Sequence, residues 1–125
     1  MDNELKELVV IKEIGPETVK FTVTGRIYTY NADLLEMHLK QALEEKQYNI
    51  VLNMSQVEYI SSSGIRVLLK TYMDTKKAGG KLEIEMPSEN VKNVLKITAL
   101  DEMLVPSTGL QGEVSGVRPE NQTST

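Results

Sequence analysis

The sequence lacks cysteine and tryptophan, and it contains only one phenylalanine. Without cysteine the chain cannot form a disulfide, use a cysteine nucleophile or hold a metal through thiolates. With five tyrosines and one phenylalanine, it offers little material for a platform of rings that stacks on bases. The net charge of −4 also argues against general nucleic-acid binding, which needs a basic face to neutralise phosphates. We therefore expect no nucleic-acid partner.

Long apolar runs and targeting signals are missing too. Residues 1–7 are charged and lack the apolar centre of a signal peptide. No apolar run approaches the roughly 20 residues that a membrane-spanning helix needs. The 125 residues, 40% hydrophobic and 26% charged, suit one domain with one core. The expectation is a cytoplasmic protein with no membrane partner.

The motifs of common enzyme classes are also absent. There is no Walker-type phosphate loop, and Gly79-Gly80 follows a predicted helix, which is the wrong place for a dinucleotide fingerprint. No Gly-x-Ser-x-Gly nucleophile elbow is present, and no ligand cluster for a metal is visible. The only histidine, His38, lies off the apolar stripe of a different helix from the serines at 61–63. We expect no catalysis, no cofactor and no metal.

Apolar periodicity predicts an alternation of strands and helices. In chain order the predicted elements are strands at Leu8–Ile11 and Val19–Thr24, a helix to about Lys46, a strand at Ile50–Leu52, a helix from the serines to about Lys77, a strand at Lys81–Met86, a helix opened by Pro87-Ser88, and a short strand at Met103–Val105. Gly25 is expected to end the second strand, and residues 26–30 are expected to form a loop. Either Thr29 or Asn31 is expected to cap the first helix.

These elements predict an α/β fold. Short connections between alternating strands and helices imply parallel pairing with right-handed crossovers, while the first two strands form a leading antiparallel hairpin. We predict one domain over residues 1–106, with a mixed, mostly parallel sheet of four to five strands and helices packed on it. Residues 107–125 are polar with no sustained apolar period, which predicts a disordered tail. Weak docking of Leu110 and Val114 on the domain is the alternative.

The stretch from Tyr59 to Leu69 places three adjacent serines before an amphipathic helix. A serine hydroxyl at this position can accept a hydrogen bond from a free N–H of the first turn. The same position suits a phosphate, because the unpaired N–H groups and the positive end of the helix dipole favour an anion. Residues alone leave two interpretations, a capped helix start or a phosphorylation switch.

The order of elements resembles the STAS domain of bacterial anti-sigma factor antagonists, over about Leu8 to Val105. The segments that carry the resemblance are Val23-Thr24-Gly25-Arg26-Ile27, Ile50-Val51-Leu52-Asn53-Met54-Ser55, Tyr59 to Leu68, Gly79-Gly80-Lys81-Leu82, and Val94 to Asp101. Their order and spacing together make the resemblance specific.

The resemblance implies a phosphoacceptor. In that family the loop before the helix usually reads Asp-Ser-(Ser, Thr or Ala)-Gly-Leu, and the serine after the aspartate is phosphorylated. Carried over by position, the acceptor is Ser62, Ser61 replaces the aspartate, and Ser63 takes the place of the variable small residue and is expected to be structural. Tyr28 stands where the family often carries a second aspartate.

The resemblance also implies partners and a binding surface. The unphosphorylated protein would bind an anti-sigma factor of the serine-kinase type and so free a sigma factor. Phosphorylation would break that complex, and a serine phosphatase would restore it. The implied partner-binding residues are Tyr28, Thr29, Tyr30, Asn31, Ser61, Ser63, Gly64 and Arg66. Gly64, with no Cβ, would let a partner's backbone approach the acceptor closely.

Two other functions remain open from the sequence. A STAS-type adaptor or scaffold that is never phosphorylated is favoured by the missing acids at Ser61 and Tyr28. A small hydrolase or transferase that uses the serine loop would need a base that the sequence does not show.

Overall fold

The computed structural model describes residues 8–106, which form four strands and four helices. They are β1 (Leu8–Ile14), β2 (Val19–Ile27), α1 (Ala32–Glu44), β3 (Asn49–Ile60), α2 (Ser62–Lys77), β4 (Lys81–Glu85), α3 (Glu89–Ile97) and α4 (Asp101–Leu104). The sheet has the order β1-β2-β3-β4, in which β1 and β2 are antiparallel and the other pairs are parallel. The predicted α/β fold with a leading hairpin and a mixed sheet is confirmed.

The core lies on one face of this sheet. Alternate residues of β2, namely Val19, Phe21 and Val23, are buried, because neighbouring side chains in a strand point to opposite faces. The helices add apolar residues at helical spacing, including Leu35 and Leu39 of α1, which are fully buried. Burying each such side chain contributes about 1.5–3 kcal/mol to the free energy of folding.

Strands β2 and β3 are longer than the sequence pattern predicts. β2 continues through Gly25 to Ile27, so the prediction that Gly25 ends the strand is wrong. β3 runs over Asn49–Ile60 instead of only Ile50–Leu52. The register between the two strands shifts twice, and each shift leaves one extra residue in β3. A bulge of this kind breaks the period-2 pattern of buried and exposed residues. The sequence of the second half of β3 therefore does not show the alternation that predicts a strand.

Two expectations near the C-terminal end of the described chain are also corrected. Met86 lies beyond β4 with φ at 52° and is 62% exposed, so it does not continue the strand into the core. Met103–Val105 is not a strand. Met103 and Leu104 are the last two residues of α4, and Leu104 and Val105 are both buried. Two adjacent buried residues are incompatible with a half-buried strand but fit the end of a helix that turns into the core.

The ends of α2 and the start of α3 match their predictions. Gly79 follows the last turn of α2 with φ at 83°, and the N–H of Gly80 donates to the carbonyl of Thr75 at 2.8 Å. This is the Schellman arrangement that ends a helix at a left-handed glycine. Ser88 caps α3 by accepting a hydrogen bond from the N–H of Val91 at 3.1 Å.

Residues 1–7 and 107–125 lie outside the described range. The predicted disordered tail, and the alternative in which Leu110 and Val114 dock on the domain, therefore stay predictions.

Candidate functional site

The candidate site lies where β2 and β3 end side by side. The two strands are parallel, and their last residues, Ile27 and Ile60, are register partners. The N–H of Ser61 donates to the carbonyl of Ile27 at 2.8 Å, which joins the two strand ends. The Tyr28–Asn31 loop leaves one strand and the three serines follow the other. The fold thus brings together the two segments that the sequence assigns to a partner surface.

Ser61 is the N-cap of α2. Its backbone is extended, with φ −82° and ψ 171°, and its hydroxyl accepts a hydrogen bond from the N–H of Gly64 at 3.2 Å. The residue is only 7% exposed. Of the three serines it is therefore Ser61 that caps the helix, whereas the sequence favoured Ser63 for a structural role, and the expected contact of Ser61 with a partner stays a prediction. Aspartate and serine are both favoured N-caps, so the exchange of one for the other keeps the cap and removes the charge.

Ser62 is the first residue of α2, and its side chain is exposed. The buried stripe of this helix contains Gly64, Val67, Leu68, Thr71 and Thr75. At about 100° per residue, Ser62 lies on the opposite side of the helix from that stripe. Ser63 is partly buried, and the first turn of α2 has no acidic residue. Of the three serines, Ser62 presents its hydroxyl most openly.

Gly64 faces the sheet and is buried. A Cβ built at this position would lie 2.8 Å from Cγ2 of Ile27 and 2.8 Å from Cγ1 of Ile60. These distances are shorter than carbon–carbon contact allows, so glycine is what lets α2 approach the ends of β2 and β3. The missing side chain of Gly64 thus makes room for the protein's own core, and its expected role in letting a partner approach stays a prediction.

Asn31 organises the loop next to the serines. Its Oδ1 accepts a hydrogen bond from the N–H of Tyr28 at 2.7 Å, and its Nδ2 donates to the carbonyl of Arg26 at 3.0 Å. Asn31 is the N-cap residue of α1 by position, but its side chain makes no capping bond, so the predicted side-chain cap by Thr29 or Asn31 is wrong. The amide closes the loop instead. A short polar side chain that bonds to nearby backbone is a common way to fix a turn.

Three tyrosine rings gather beside this loop, a feature that sequence reasoning did not predict. The ring of Tyr28 stacks on Tyr30 with centroids 5.4 Å apart, and it lies 5.4 Å from the ring of Tyr59 on β3. Tyr30 and Tyr59 are 68% and 47% exposed. The pairing of Arg26 with Tyr59 across the strands brings the rings together, and this register depends on the bulges. We call Tyr28, Tyr30 and Tyr59 the tyrosine cluster.

An ion pair flanks the tyrosine cluster. Nε of Arg26 lies 3.0 Å from Oε1 of Glu58. The pKa of Arg26 is raised above its ordinary value, first by a hydrogen bond with the side chain of Tyr28 and then by the bond with Glu58. Arg26 therefore stays charged, and its guanidinium group is held by Glu58 and Tyr28 of the same domain.

Arg66 behaves differently. It is exposed on the second turn of α2, and within residues 8–106 it forms no ion pair. The next cation along the helix, Lys70, lies 3.6 Å from Glu36 of α1. The structure thus leaves the charge of Arg66 at the surface beside Ser62.

His38 is remote from the serines. Its ring makes an edge contact with Phe21, with centroids 6.0 Å apart. Phe21 pairs with Leu52, which is separated from Ile60 by most of β3, roughly 25 Å along an extended strand. Histidine at that distance cannot act as a base for any of the three serines.

Residues 8–106 lack two further features, a cluster of metal ligands and a membrane-spanning helix. Over that range, no three His, Cys, Asp or Glu side chains are grouped so that they could hold a metal ion. None of the helices formed by these residues has the length and apolar character to cross a membrane.

Comparisons with known proteins agree with this fold. The family model of the STAS domain matches residues 8–113. The anti-sigma-B factor antagonist of Bacillus subtilis (strain 168) is 29% identical over 96 residues, which are 77% of this chain and 87% of the relative. The anti-sigma factor antagonist SpoIIAA, solved in its unphosphorylated form, has a TM-score of 0.69 at 17% identity, over 86% of this chain and 100% of that one. Bacillus SpoIIAA in the phosphorylated form has a TM-score of 0.65 at 17% identity, over 78% of this chain and 89% of that one.

The two structural likenesses bear on the fold, whereas the family match covers all of the described residues. The resemblance seen in the sequence is confirmed: the chain belongs to the STAS domain family.

Proposed function

We propose that this protein is a phosphorylation-controlled anti-sigma factor antagonist, a binding module and not an enzyme. Its unphosphorylated form binds an anti-sigma factor of the serine-kinase type in the cytoplasm, and this binding frees a sigma factor. The kinase transfers the γ-phosphoryl group of ATP to Oγ of Ser62, with release of ADP and the hydroxyl proton. The phosphorylated protein dissociates, and a serine phosphatase restores the binding form.

The observation that carries this proposal is the division of roles among the serines. Ser61 is buried and its hydroxyl caps α2, while Ser62 is exposed at the first position of the same helix. A kinase active site can reach an exposed hydroxyl without unfolding the helix. A phosphate there is favoured by the positive end of the helix dipole, so the domain can remain folded in both states.

The relatives support the same function. The Bacillus subtilis relative that aligns with 77% of this chain is an anti-sigma-B factor antagonist. SpoIIAA, which shares the fold, is known in an unphosphorylated and a phosphorylated form. We extend both properties to this chain as part of the proposal.

The partner surface follows from the exposed residues around Ser62. It consists of Ser62, Ser63 and Arg66 on α2 together with the Tyr28–Asn31 loop and Tyr59. Phosphate adds about −1.5 to −2 charges at the centre of this surface. A partner packed against a small hydroxyl would meet both a clash and a buried charge, which is enough to break a complex.

The proposal is tested by phosphate mapping. The protein is incubated with ATP and a serine-kinase anti-sigma factor from the same genome, and the modified residue is identified by mass spectrometry. We expect one phosphate on Ser62 in the wild type and in Ser63→Ala, and none in Ser62→Ala. Phosphate on another residue, or a Ser62→Ala protein modified as fully as wild type, would refute the assignment of Ser62.

A second candidate is an adaptor or scaffold of the STAS type that is not phosphorylated. It is favoured by Ser61 and Tyr28, which stand where the family usually has an aspartate just before the acceptor and often has a second one in the neighbouring loop. Ser62→Asp separates the two functions. We expect this substitution to weaken partner binding if the switch operates, whereas an adaptor would keep its affinity.

A further inference from the structure

Ser62 and Arg66 share one face of α2. They are four residues apart on a helix of 16 residues, and both side chains are exposed. Four residues correspond to about 6 Å along the axis and about 40° around it, so the two side chains are neighbours on the helix surface. Both lie opposite the buried stripe, where no other element of residues 8–106 covers them.

The charges around this pair are arranged for an anion at Ser62. The first turn of α2 has no carboxylate that would repel a phosphate. Arg66 makes no ion pair within residues 8–106, whereas the neighbouring cations Arg26 and Lys70 are paired with Glu58 and Glu36. A negative group four residues before a cation is also the favourable order on a helix, because it agrees with the helix dipole.

We propose that Arg66 is the internal partner of the phosphate on Ser62, so that phosphorylation converts an exposed cation into half of an ion pair on the protein's own surface. The guanidinium group donates two parallel hydrogen bonds to phosphate oxygens, a geometry that suits arginine better than lysine. This inference rests on the proposed function, since it concerns the phosphorylated form of Ser62.

The pair gives phosphorylation two effects on a partner. The phosphate introduces negative charge, and at the same moment Arg66 is withdrawn from any carboxylate that the partner places against it. The loss of a charge-assisted hydrogen bond adds to the repulsion, so one modification both removes an attraction and adds a penalty.

Other charged groups near this end of the domain do not offer the same contact. Arg26 and Glu58 neutralise each other, and the Tyr28–Asn31 loop contains no charged side chain. Asp33, in the first turn of α1, is an anion and cannot hold a phosphate. Farther along α2, Lys76 lies 5.6 Å from the ring centre of Tyr72, more than three turns from Ser62.

The test uses the full chain with phosphoserine incorporated directly at position 62 by genetic code expansion, so that it does not depend on any kinase. Phosphorus NMR over a pH series gives the second pKa of the phosphate, which is about 6 for an unperturbed group. We expect Arg66→Gln to raise this pKa by roughly 0.3 unit relative to wild type, because the doubly charged phosphate loses its partner. Arg66→Lys should give a smaller rise.

The matched control is Lys96→Gln, which removes the same charge from an exposed site at the end of α3. Lys96→Gln should change the second pKa of the phosphate by less than about a third of the change that Arg66→Gln causes. In the wild type, the Nε–Hε proton of Arg66 should also shift downfield when phosphoserine is present. An equal effect from Arg66→Gln and Lys96→Gln, or an Arg66 proton that does not respond, would overturn the pairing.

Failure of the pairing is distinguishable from failure of the proposed function. If no kinase modifies Ser62, the incorporated phosphoserine still reports whether Arg66 holds it. If Ser62 is modified but the phosphate pKa is indifferent to Arg66, the switch stands and this inference falls.

Discussion

At the residue scale, three adjacent serines have three different environments. Ser61 is buried, and its hydroxyl caps α2 by accepting a hydrogen bond from the N–H of Gly64. Ser62 is exposed, and Ser63 is partly buried. The sequence could limit the capping residue to this triplet, because serines before an amphipathic run favour a helix N-terminus. It could not assign the cap within the triplet, since that depends on the residue at which β3 ends. The bond between the N–H of Ser61 and Ile27 sets that end.

The cap gives a stability prediction. We expect Ser61→Ala to lower the free energy of unfolding by about 1 kcal/mol, because a first-turn N–H loses its acceptor. Ser61→Asp should stay within about 0.5 kcal/mol of wild type, since aspartate caps as well as serine and its charge suits the helix N-terminus. Urea unfolding followed by circular dichroism measures both, with Ser63→Ala as the control that changes the neighbouring hydroxyl. A Ser61→Ala protein as stable as Ser63→Ala would contradict the capping role.

At the element scale, the site depends on how closely α2 approaches the sheet. The positions of α1, α2 and α3 were predictable from apolar spacing, whereas that of α4 was not, and both ends of α2 matched because Ser61 and Gly79 carry local signals. The extent of β3 was not predictable, because two bulges against β2 break its alternation. Those bulges also set Tyr59 beside Arg26, so the tyrosine cluster could not be found from spacing along the chain.

Gly64 tests this close approach. Alanine is a better helix former by about 1 kcal/mol, but its Cβ would lie 2.8 Å from carbons of both Ile27 and Ile60. The clash involves atoms near the backbone of two strands, and overpacking of this kind costs about 1–3 kcal/mol. We expect Gly64→Ala to destabilise the domain by about 1 kcal/mol in urea unfolding. A gain in stability, as helix propensity alone would give, would show that the space between α2 and the ends of β2 and β3 can hold an additional methyl group.

At the scale of the whole molecule, charge is distributed unevenly. The chain has a net charge of −4, yet α2 carries Arg66, Lys70, Lys76 and Lys77 against one carboxylate, Asp74. The helix that begins at the proposed switch is therefore the basic part of an acidic protein. We infer that this helix faces a partner surface rich in carboxylates, since complementary charge steers association and fixes orientation.

The rest of the domain should not take part in the switch. The core is closed by the sheet and helices, and Ser62 lies outside it. We expect phosphoserine at position 62 to change amide chemical shifts only near residues 28–31 and 59–66. Shifts that spread through β1 or α3 in a proton–nitrogen spectrum would mean that the phosphate alters the fold and not only the surface.

In the proposed switch, a phosphate on Ser62 is sufficient by itself to break the complex with the partner. The most direct measurement is calorimetric titration of a serine-kinase anti-sigma factor from the same genome with two forms of the chain, unmodified and carrying phosphoserine at position 62. We expect tight binding of the unmodified form and an affinity at least about 100-fold lower for the modified form, a loss of about 2.7 kcal/mol. Equal affinities for the two forms would refute the proposed switch.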